Sequence, residues 1–339
     1  MTEKQPGRER EKRLFLVLPC YNEEEVLPET ARQLKDKMDA LASRGLIAGE
    51  SRVVFVDDGS SDRTWELITA LHRENPLFQG IRLAHNSGHQ NALVAGLFTV
   101  SALCDMTVSM DADLQDDIDA IDEMVEKYLA GADIVYGVRK SRTSDTFFKR
   151  TTAEGFYRVM NHMGAGVVYN HADFRLMSAK ALQGLMQFGE VNLFLRGIVP
   201  MIGYRTDTVS YDRRERFAGK SKYPLSRMLH FAAQGITSLS VRPIRMITSL
   251  GFFIFFVSIV AIIYSLARYF TGHTITGWTT TVLSVWAIGG LMMISLGVIG
   301  EYIGKIYLES KGRPRYIIAD YLKDAQDMPD LIDRKGRIK

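Results

Sequence analysis

The sequence has few cysteines, little net charge and no obvious export signal. Two cysteines occur among 339 residues, Cys20 and Cys104, so neither a disulfide framework nor a cysteine-based metal site is expected. A formal net charge of +3, without a dense basic run, does not indicate nucleic-acid binding. Residues 1–12 are charged and precede only a short apolar run, which predicts a solvated tail instead of a signal peptide.

Two glycine-rich phosphate-binding motifs are also missing. The first apolar run is followed by CYNEEE, where a dinucleotide-binding fold would have G-x-G-x-x-G. The loop G-x-x-x-x-G-K-[ST] is absent as well. The first absence is evidence against a dinucleotide-binding fold.

Short apolar runs alternate with helical patterns over the first two hundred residues. This order predicts an α/β domain with a mostly parallel sheet and helices on both faces. Ligands of such sheets bind beyond the carboxyl ends of the strands. We therefore expect the polar loops at these ends to meet at one edge, called the rim below, and they read PCYNE, VDDGSSD, AHNSGHQN, MDADLQ and GVRKS.

Two long apolar runs follow, at residues 246–270 and 278–304. Each exceeds the roughly 20 residues needed to cross a bilayer. Basic residues lie outside the pair on both sides, so the positive-inside rule predicts a multi-pass protein of the cytoplasmic (inner) membrane with its catalytic domain in the cytoplasm. Small residues that permit close helix packing make a homo-oligomer the expected state; these are Gly289, Gly290, Gly297 and Gly300.

The predicted organisation has five parts. Residues 1–12 form the tail, 13–218 the catalytic domain, 219–245 a juxtamembrane segment, 246–304 the membrane hairpin and 305–339 a basic cytoplasmic tail. The juxtamembrane segment places apolar side chains on one helical face, typical of an interfacial helix on the bilayer or of an amphipathic helix packed on the domain.

The acids in MDADLQDD are the strongest chemical signal. Asp111 and Asp113 alternate, so in an extended segment both would point the same way, with Gln115 on that side too. Carboxylates held so close favour a hard divalent cation, Mg²⁺ or Mn²⁺. The alternative is a helix N-terminus rich in acids, which is our interpretation of a second set, namely Asp116, Asp117 and Asp119.

Taken together, these motifs resemble the family 2 inverting glycosyltransferases, which have a GT-A fold. The motif FAGKSKYPL followed by two apolar runs narrows the resemblance to the polyprenyl-phosphate glycosyltransferases, including bactoprenol glucosyltransferases and dolichol-phosphate mannose synthases. The likeness covers nearly the whole chain after residue 12. It implies a nucleotide-sugar donor, a divalent metal at the paired acids and a membrane lipid phosphate as acceptor.

The resemblance also implies roles for individual residues on the donor side. The nucleoside pocket would be lined by Pro19, Tyr21, Glu23, Asp57 and Asp58. Asp111 would face the nucleotide and, with Asp113 and Gln115, form the metal site. Arg139 and Lys140 could meet either phosphate group.

On the acceptor side, Asp173 and Arg175 are the catalytic candidates in NHADFRL, and a structural ion pair is the alternative. The resemblance further implies that a basic loop contacts the lipid phosphate, unless that loop is only a flexible linker. Its residues are Lys220, Ser221, Lys222 and Tyr223.

The expected activity is transfer of a sugar, glucose first and N-acetylglucosamine next, from a UDP-sugar to undecaprenyl phosphate. A processive polysaccharide synthase is one competing hypothesis, but that group carries a Q-x-x-R-W motif. Here Trp65, Trp278 and Trp286 follow Thr, Gly and Val. Two further hypotheses are a non-enzymatic nucleotide-binding scaffold and a lipid-sugar flippase.

Overall fold

The computed structural model describes residues 11–139, 171–191, 194–212, 241–271 and 277–323. The chain divides into two compact units. Among the described residues, the first unit contains those up to 212 together with those from Pro314 onward, and the second contains two long helices.

In the described part of the chain, the first unit is built on an eight-stranded mixed sheet of order β7-β5-β6-β4-β1-β2-β3-β8. Its strands are β1 (Leu14–Cys20), β2 (Arg52–Asp57), β3 (Phe78–Leu83), β4 (Met106–Ser109), β5 (Ile134–Arg139), β6 (His171–Ser178), β7 (Thr206–Tyr211) and β8 (Ile318–Leu322). Its helices are α1 (Leu27–Ser43), α2 (Thr64–Glu74), α3 (His89–Val100), α4 (Ala120–Leu129), α5 (Ala179–Met186) and α6 (Leu195–Met201).

Helices cover both faces of this sheet, as predicted. Every residue of β1 is buried, which explains its unbroken apolar run. Leu14, Leu16 and Leu18 pack in one core with α1 and α4. On the opposite face, Gly96 of α3 lies so close to the sheet that an added Cβ would come within 2.5 Å of Val17 and 2.7 Å of Val56.

Strand directions explain how the rim is assembled. β4, β1, β2 and β3 are mutually parallel, so the loops after them emerge at the same edge. β6 runs antiparallel between β4 and β5, which the sequence did not predict. Its amino end therefore lies beside the carboxyl end of β4, which brings Asp173 to the rim.

The C-terminal region differs from the predicted tail over 305–339. Ile318–Leu322 form β8, which pairs antiparallel with β3 at the edge of the sheet. The Tyr321 hydroxyl donates to Gln79 Oε1 (3.0 Å), and the Ala84 amide donates to the Ile317 carbonyl (2.9 Å). The strand satisfies backbone groups that β3 would otherwise expose.

The second unit contains helices α7 (Arg242–Phe270) and α8 (Trp278–Ser310). Both extend beyond the apolar runs that predicted them. Large apolar side chains are exposed, for example Phe253 at 65 % and Trp286 at 77 %. Within the described residues, one helical stretch, Ser284–Ser310, is long and apolar enough to cross a membrane, so the predicted pair of crossings is not confirmed.

Candidate active site

Asp57 lies at the end of β2 on the donor side of the rim. Its carboxylate is fully buried, and Oδ1 accepts a hydrogen bond from the Ser60 amide (3.1 Å). Oδ2 has no hydrogen-bond partner among the described residues, and Arg82 Nε lies 3.8 Å away. Burial raises the pKa of Asp57. The assignment of Asp57 to the nucleoside pocket stays a prediction.

Asp58 has a different local role. Its Oδ1 accepts from the Ser87 amide (2.7 Å), and its Oδ2 accepts from the Gly88 amide (3.0 Å). Its own amide donates to the Cys20 carbonyl (2.9 Å). Asp58 thus joins the end of β1 to the loop after β3. At neighbouring Gly59, where φ is +68°, an added Cβ would lie 2.7 Å from the Asn86 nitrogen, so the turn requires glycine.

The three remaining donor-side candidates lie along β1 and the loop after it. Pro19 is buried within the strand, opposite Val56 of β2. Tyr21 follows the strand and is 48 % exposed. The Glu23 amide donates to Thr64 Oγ1 (2.9 Å). Of these three, Tyr21 presents the most open surface to a ligand.

The predicted metal ligands lie in a turn, called the acidic loop below (residues 110–116). β4 ends at Ser109, and Leu114 adopts a left-handed conformation with φ of +57°. The expectation of an extended segment is therefore wrong beyond Asp111. The Gln115 amide donates to Asp113 Oδ1 (3.2 Å), which closes the turn. The Thr30 hydroxyl of α1 donates to the Ala112 carbonyl (2.9 Å), so this part of the loop is bonded to α1 and not to a neighbouring strand.

Asp111 is crowded by like charge. Burial raises its pKa to about 6, and the carboxylates of Asp116, Asp173 and Asp113 act in the same direction, while His89 opposes them. His89 Nε2 lies 3.5 Å from Asp111 Oδ1, and 39 % of the Asp111 side chain is exposed. A cation would relieve this repulsion.

The donor types in the acidic loop suit Mg²⁺ or Mn²⁺, because two carboxylates and the Gln115 amide offer hard oxygen atoms. Gln115 is only 9 % exposed, while Asp111 and Asp113 are both partly exposed. In the part of the chain that the structure describes, no group of three or more His, Cys, Asp or Glu side chains is placed to hold a metal ion. The predicted metal site would therefore need the Gln115 amide as well as the two acids.

Asp173 is held by two guanidinium groups. Arg175 Nη2 lies 2.6 Å from its Oδ1, and Arg196 Nη2 lies 3.1 Å from its Oδ2. Burial alone would raise the pKa of Asp173, but Arg196 and then Arg175 and His89 hold it well below the usual range. Asp173 therefore stays ionised at neutral pH. The predicted ion pair with Arg175 exists, and both residues lie at the rim beside Asp111.

Asp116 is placed differently from the prediction that it decorates a helix N-terminus. Its side chain is 1 % exposed, and α4 begins only at Ala120. The Tyr211 hydroxyl donates to Asp116 Oδ1 (2.6 Å), and Arg139 Nη2 lies 3.6 Å from the same oxygen. The burial of Asp116 was not predicted because it depends on Tyr211 of β7, which lies 95 positions later in the sequence. Arg139, the predicted phosphate contact, lies within this cluster.

Sequence reasoning missed three residues of the site: His89, Arg196 and Tyr211. His89 lies in AHNSGHQN, a loop already assigned to the rim, so its position at the strand end was an available signal. Arg196 lies in α6 and Tyr211 ends β7, and neither belongs to a distinctive motif. Several predicted contacts fall outside the described residues, namely Lys140, Lys220, Ser221, Lys222 and Tyr223.

The sequence matches one protein family and several curated relatives over most of its length. The family Glycosyl transferase family 2 matches residues 15–186. A Bacillus subtilis (strain 168) protein described as an uncharacterized glycosyltransferase, YkoT, is 53 % identical over 326 residues, covering 96 % of this chain and 97 % of the relative. The bactoprenol glucosyl transferase of Shigella phage SfV is 38 % identical over 311 residues, covering 90 % and 98 %.

Among solved structures, mannosyl-3-phosphoglycerate synthase from Rubrobacter xylanophilus superposes with a TM-score of 0.45 at 15 % identity, covering 68 % of this chain and 74 % of the other. The matched family spans β1 to α5, the part of the chain that builds the rim. On the family match and these relatives, the chain belongs to glycosyltransferase family 2.

Proposed function

We propose that this protein transfers a hexose from a UDP-sugar to the phosphate of a polyprenyl lipid, with inversion, at the cytoplasmic face of the membrane. Glucose is the first candidate and N-acetylglucosamine the second. The bactoprenol glucosyl transferase relatives, matched over 90 % of this chain, support the lipid acceptor. The observation that carries the proposal is the meeting at one rim of Asp111 with a carboxylate held by two arginines.

The chemistry joins two anionic substrates. An oxygen of the lipid phosphate attacks the anomeric carbon, and the bond from that carbon to the UDP oxygen breaks, with its electron pair leaving on UDP. An in-line attack inverts the anomeric carbon. A divalent ion held by Asp111, Asp113 and Gln115 would supply positive charge to the leaving diphosphate.

Little proton transfer is required for this reaction. A phosphate monoester has a second pKa near ~6 and is largely a dianion at neutral pH. Asp173 is kept ionised by Arg196 and Arg175, so it orients the site. Arg196, whose side chain is 41 % exposed, brings a cation to the surface where a second phosphate would arrive.

Sheet topology supports an even number of membrane crossings. β7 ends at Tyr211 and β8 begins at Ile318, and both strands belong to one sheet. The chain therefore leaves and re-enters the sheet on one side of the membrane. If Ser284–Ser310 crosses once, a second crossing must precede it. The 29-residue helix α7, about 43 Å long at 1.5 Å per residue, is long enough.

This topology is testable by labelling. A cysteine introduced as Thr271→Cys, between α7 and α8, should react with a membrane-impermeant maleimide from outside intact cells. A matched Lys323→Cys, just after β8, should react only in inverted vesicles. Equal accessibility of both positions from one side would contradict two crossings.

A homo-oligomer is part of the proposal. Added Cβ atoms at Gly289, Gly290, Gly297 and Gly300 would meet nothing within 4 Å in the single chain. Such a stripe of small residues permits close approach of another helix. Cross-linking in membranes would show whether the chain self-associates.

The decisive experiment identifies the lipid product. Membranes containing the protein are supplied with undecaprenyl phosphate and, separately, UDP-glucose, UDP-N-acetylglucosamine, UDP-galactose or GDP-mannose. Mass spectrometry should detect polyprenyl-phosphate-hexose with UDP-glucose, and an Asp113→Ala protein is the control. Absence of any lipid-linked sugar with every donor would refute the proposal.

A further inference from the structure

Hydrogen bonds from three directions fix the acidic loop. The Met110 amide donates to the Val17 carbonyl (3.3 Å) at the start of the loop. The Thr30 hydroxyl of α1 donates to the Ala112 carbonyl (2.9 Å). The Tyr211 hydroxyl donates to Asp116 Oδ1 (2.6 Å) at the end of the loop. Asp113 and Gln115 lie between the last two contacts.

Packing determines where the Tyr211 hydroxyl lies. The residue is 2 % exposed, and its ring meets the ring of Phe174 edge-on, with centroids 5.2 Å apart at 89°. The ring also lies against Gly137 of β5, where an added Cβ would be 3.0 Å from Tyr211 Cε1 and 2.8 Å from Phe174. Glycine at position 137 therefore leaves room for this ring, and the ring in turn directs the hydroxyl at Asp116.

The partner of that hydroxyl is a buried carboxylate, which needs hydrogen bonds to remain buried. Burial, and then the charge of Asp116, raise the pKa of Tyr211, so the phenol keeps its proton and donates it. Arg139 donates from Nε to the Tyr211 oxygen (3.3 Å) and adds positive charge near Asp116. A hydrogen bond to a charged acceptor is among the stronger ones in proteins.

We propose that Tyr211 is a positioning residue for the divalent cation: through its hydrogen bond to Asp116, it holds Asp113 and Gln115 in the conformation that binds the ion. The inference rests on the proposed function, since that function supplies the role of the cation. Tyr211 is also the last residue of β7, and Lys220, the predicted contact of the lipid phosphate, follows it by nine positions in the sequence.

The test removes one oxygen atom. Tyr211→Phe keeps the ring that packs on Phe174 and Gly137 but loses the donor to Asp116. Binding of Mn²⁺ to the full-length protein with UDP present is measured by the electron paramagnetic resonance signal of free Mn²⁺. We expect affinity to fall about tenfold, the effect of losing one hydrogen bond to a charged group. At saturating Mn²⁺, kcat should stay within about twofold of wild type, since Tyr211 acts on occupancy of the ion.

Tyr128→Phe is the matched control. Its hydroxyl donates to the Asp105 carbonyl (3.3 Å) just before β4, at the opposite edge of the sheet from the rim. This variant should bind Mn²⁺ like wild type. Asp116→Asn is the second variant. Its side-chain amide oxygen can still accept the hydrogen bond from Tyr211, so we expect its Mn²⁺ affinity to fall less than that of Tyr211→Phe.

The outcomes separate the inference from the function on which it rests. Equal Mn²⁺ affinity of Tyr211→Phe and wild type, or an equal loss in Tyr128→Phe, would overturn the positioning role while leaving sugar transfer intact. If wild type with UDP binds no Mn²⁺, both the metal part of the proposed function and the inference fail. A larger loss in Asp116→Asn than in Tyr211→Phe would also overturn it, because the effect would then not pass through the tyrosine.

Discussion

The two halves of the rim satisfy their carboxylates in different ways. On the donor side, Asp57 and Asp58 accept hydrogen bonds from backbone amides of the neighbouring loops. On the side of β4 and β6, Asp116 and Asp173 are bound by tyrosine and arginine side chains. Asp111 lies among the latter and is only partly compensated, by His89.

The two halves of the rim therefore differ in the charge of the groups that bind their carboxylates. Amide donors add no net charge, and the guanidinium of Arg82 lies 3.8 Å from Asp57 Oδ2, farther than the two arginines lie from Asp173. Guanidinium partners add charge, and under the proposed function they stand where a diphosphate and a lipid phosphate would meet. Substitutions in the first half should therefore disturb local structure, whereas those in the second half should disturb either the chemistry or a buried ion pair.

The largest expected effect is the loss of transfer in Asp113→Ala. Removing a metal ligand should lower the rate by about 10³-fold or more, several kcal/mol, because the leaving diphosphate loses its counter-charge. The side chain is partly exposed, so the protein should still fold and insert in membranes. Lipid products are measured by mass spectrometry.

Asp117→Ala is the control for this change, since Asp117 follows the acidic loop and is also partly exposed. It should keep activity within about twofold. Full transfer by Asp113→Ala in excess chelator would refute a metal role for the acidic loop.

The next effect is on stability. Asp173→Asn leaves Arg175, which is 2 % exposed, with a neutral amide in place of its carboxylate. An uncompensated buried charge costs about 3 kcal/mol or more. Thermal unfolding in detergent should therefore shift to lower temperature. Arg196→Ala, which removes the more exposed partner, should shift it less, and the reverse order would contradict this account.

A smaller loss is expected on the donor side from Asp58→Asn. The side-chain amide can accept from only one of the Ser87 and Gly88 amides and leaves the other without its acceptor. This should cost about 1–2 kcal/mol of stability. Because the loop before α3 is displaced, the KM for the UDP-sugar should rise more than kcat falls. An equal or greater loss of stability than in Asp173→Asn would erase the distinction between the two halves.

Local patterns were sufficient for the strands and for the rim loops. The apolar runs of β1 and β2 are continuous because both faces are covered, and the polar residues that follow them mark the strand ends. Asp57, Asp58 and Asp111 could therefore be assigned to one edge from sequence alone. The two long helices likewise came from run length, although among the described residues only one of them contains a stretch long and apolar enough to cross a membrane.

Pairings distant in sequence could not be predicted in this way. β6 reverses direction between β4 and β5, and β8 joins β3 from beyond the long helices, which no local period indicates. Asp116 resembled an exposed acid before a helix because its partner, Tyr211, lies on a strand far along the chain. The charged residues of the site could be recognised in the sequence. Their partners could not, because the pairing depends on tertiary contacts.

The smallest effect is a gain in stability in metal-free Asp111→Asn. The pKa of Asp111 is raised to about 6, against about 3.9 in an unfolded chain. Between these values the folded protein holds a proton that the unfolded chain has lost, so wild-type stability falls as pH rises through this window. Asp111→Asn has no carboxyl group at this position and therefore does not lose stability in this way as pH rises. Its advantage should be absent near pH 4 and reach on the order of 0.5 kcal/mol above pH 6, after discounting for a side chain that is 39 % exposed.

Chelator-treated proteins are compared by thermal unfolding at pH 5 and pH 7.5, with Asp117→Asn as the control that should show no such pH dependence. Adding Mn²⁺ and UDP should reverse the order at pH 7.5, because the ion stabilises only the protein that retains its carboxylate. If Asp111→Asn gains nothing at pH 7.5 without metal, the repulsion at the rim is already neutralised by His89, and the two halves differ less than their contacts indicate.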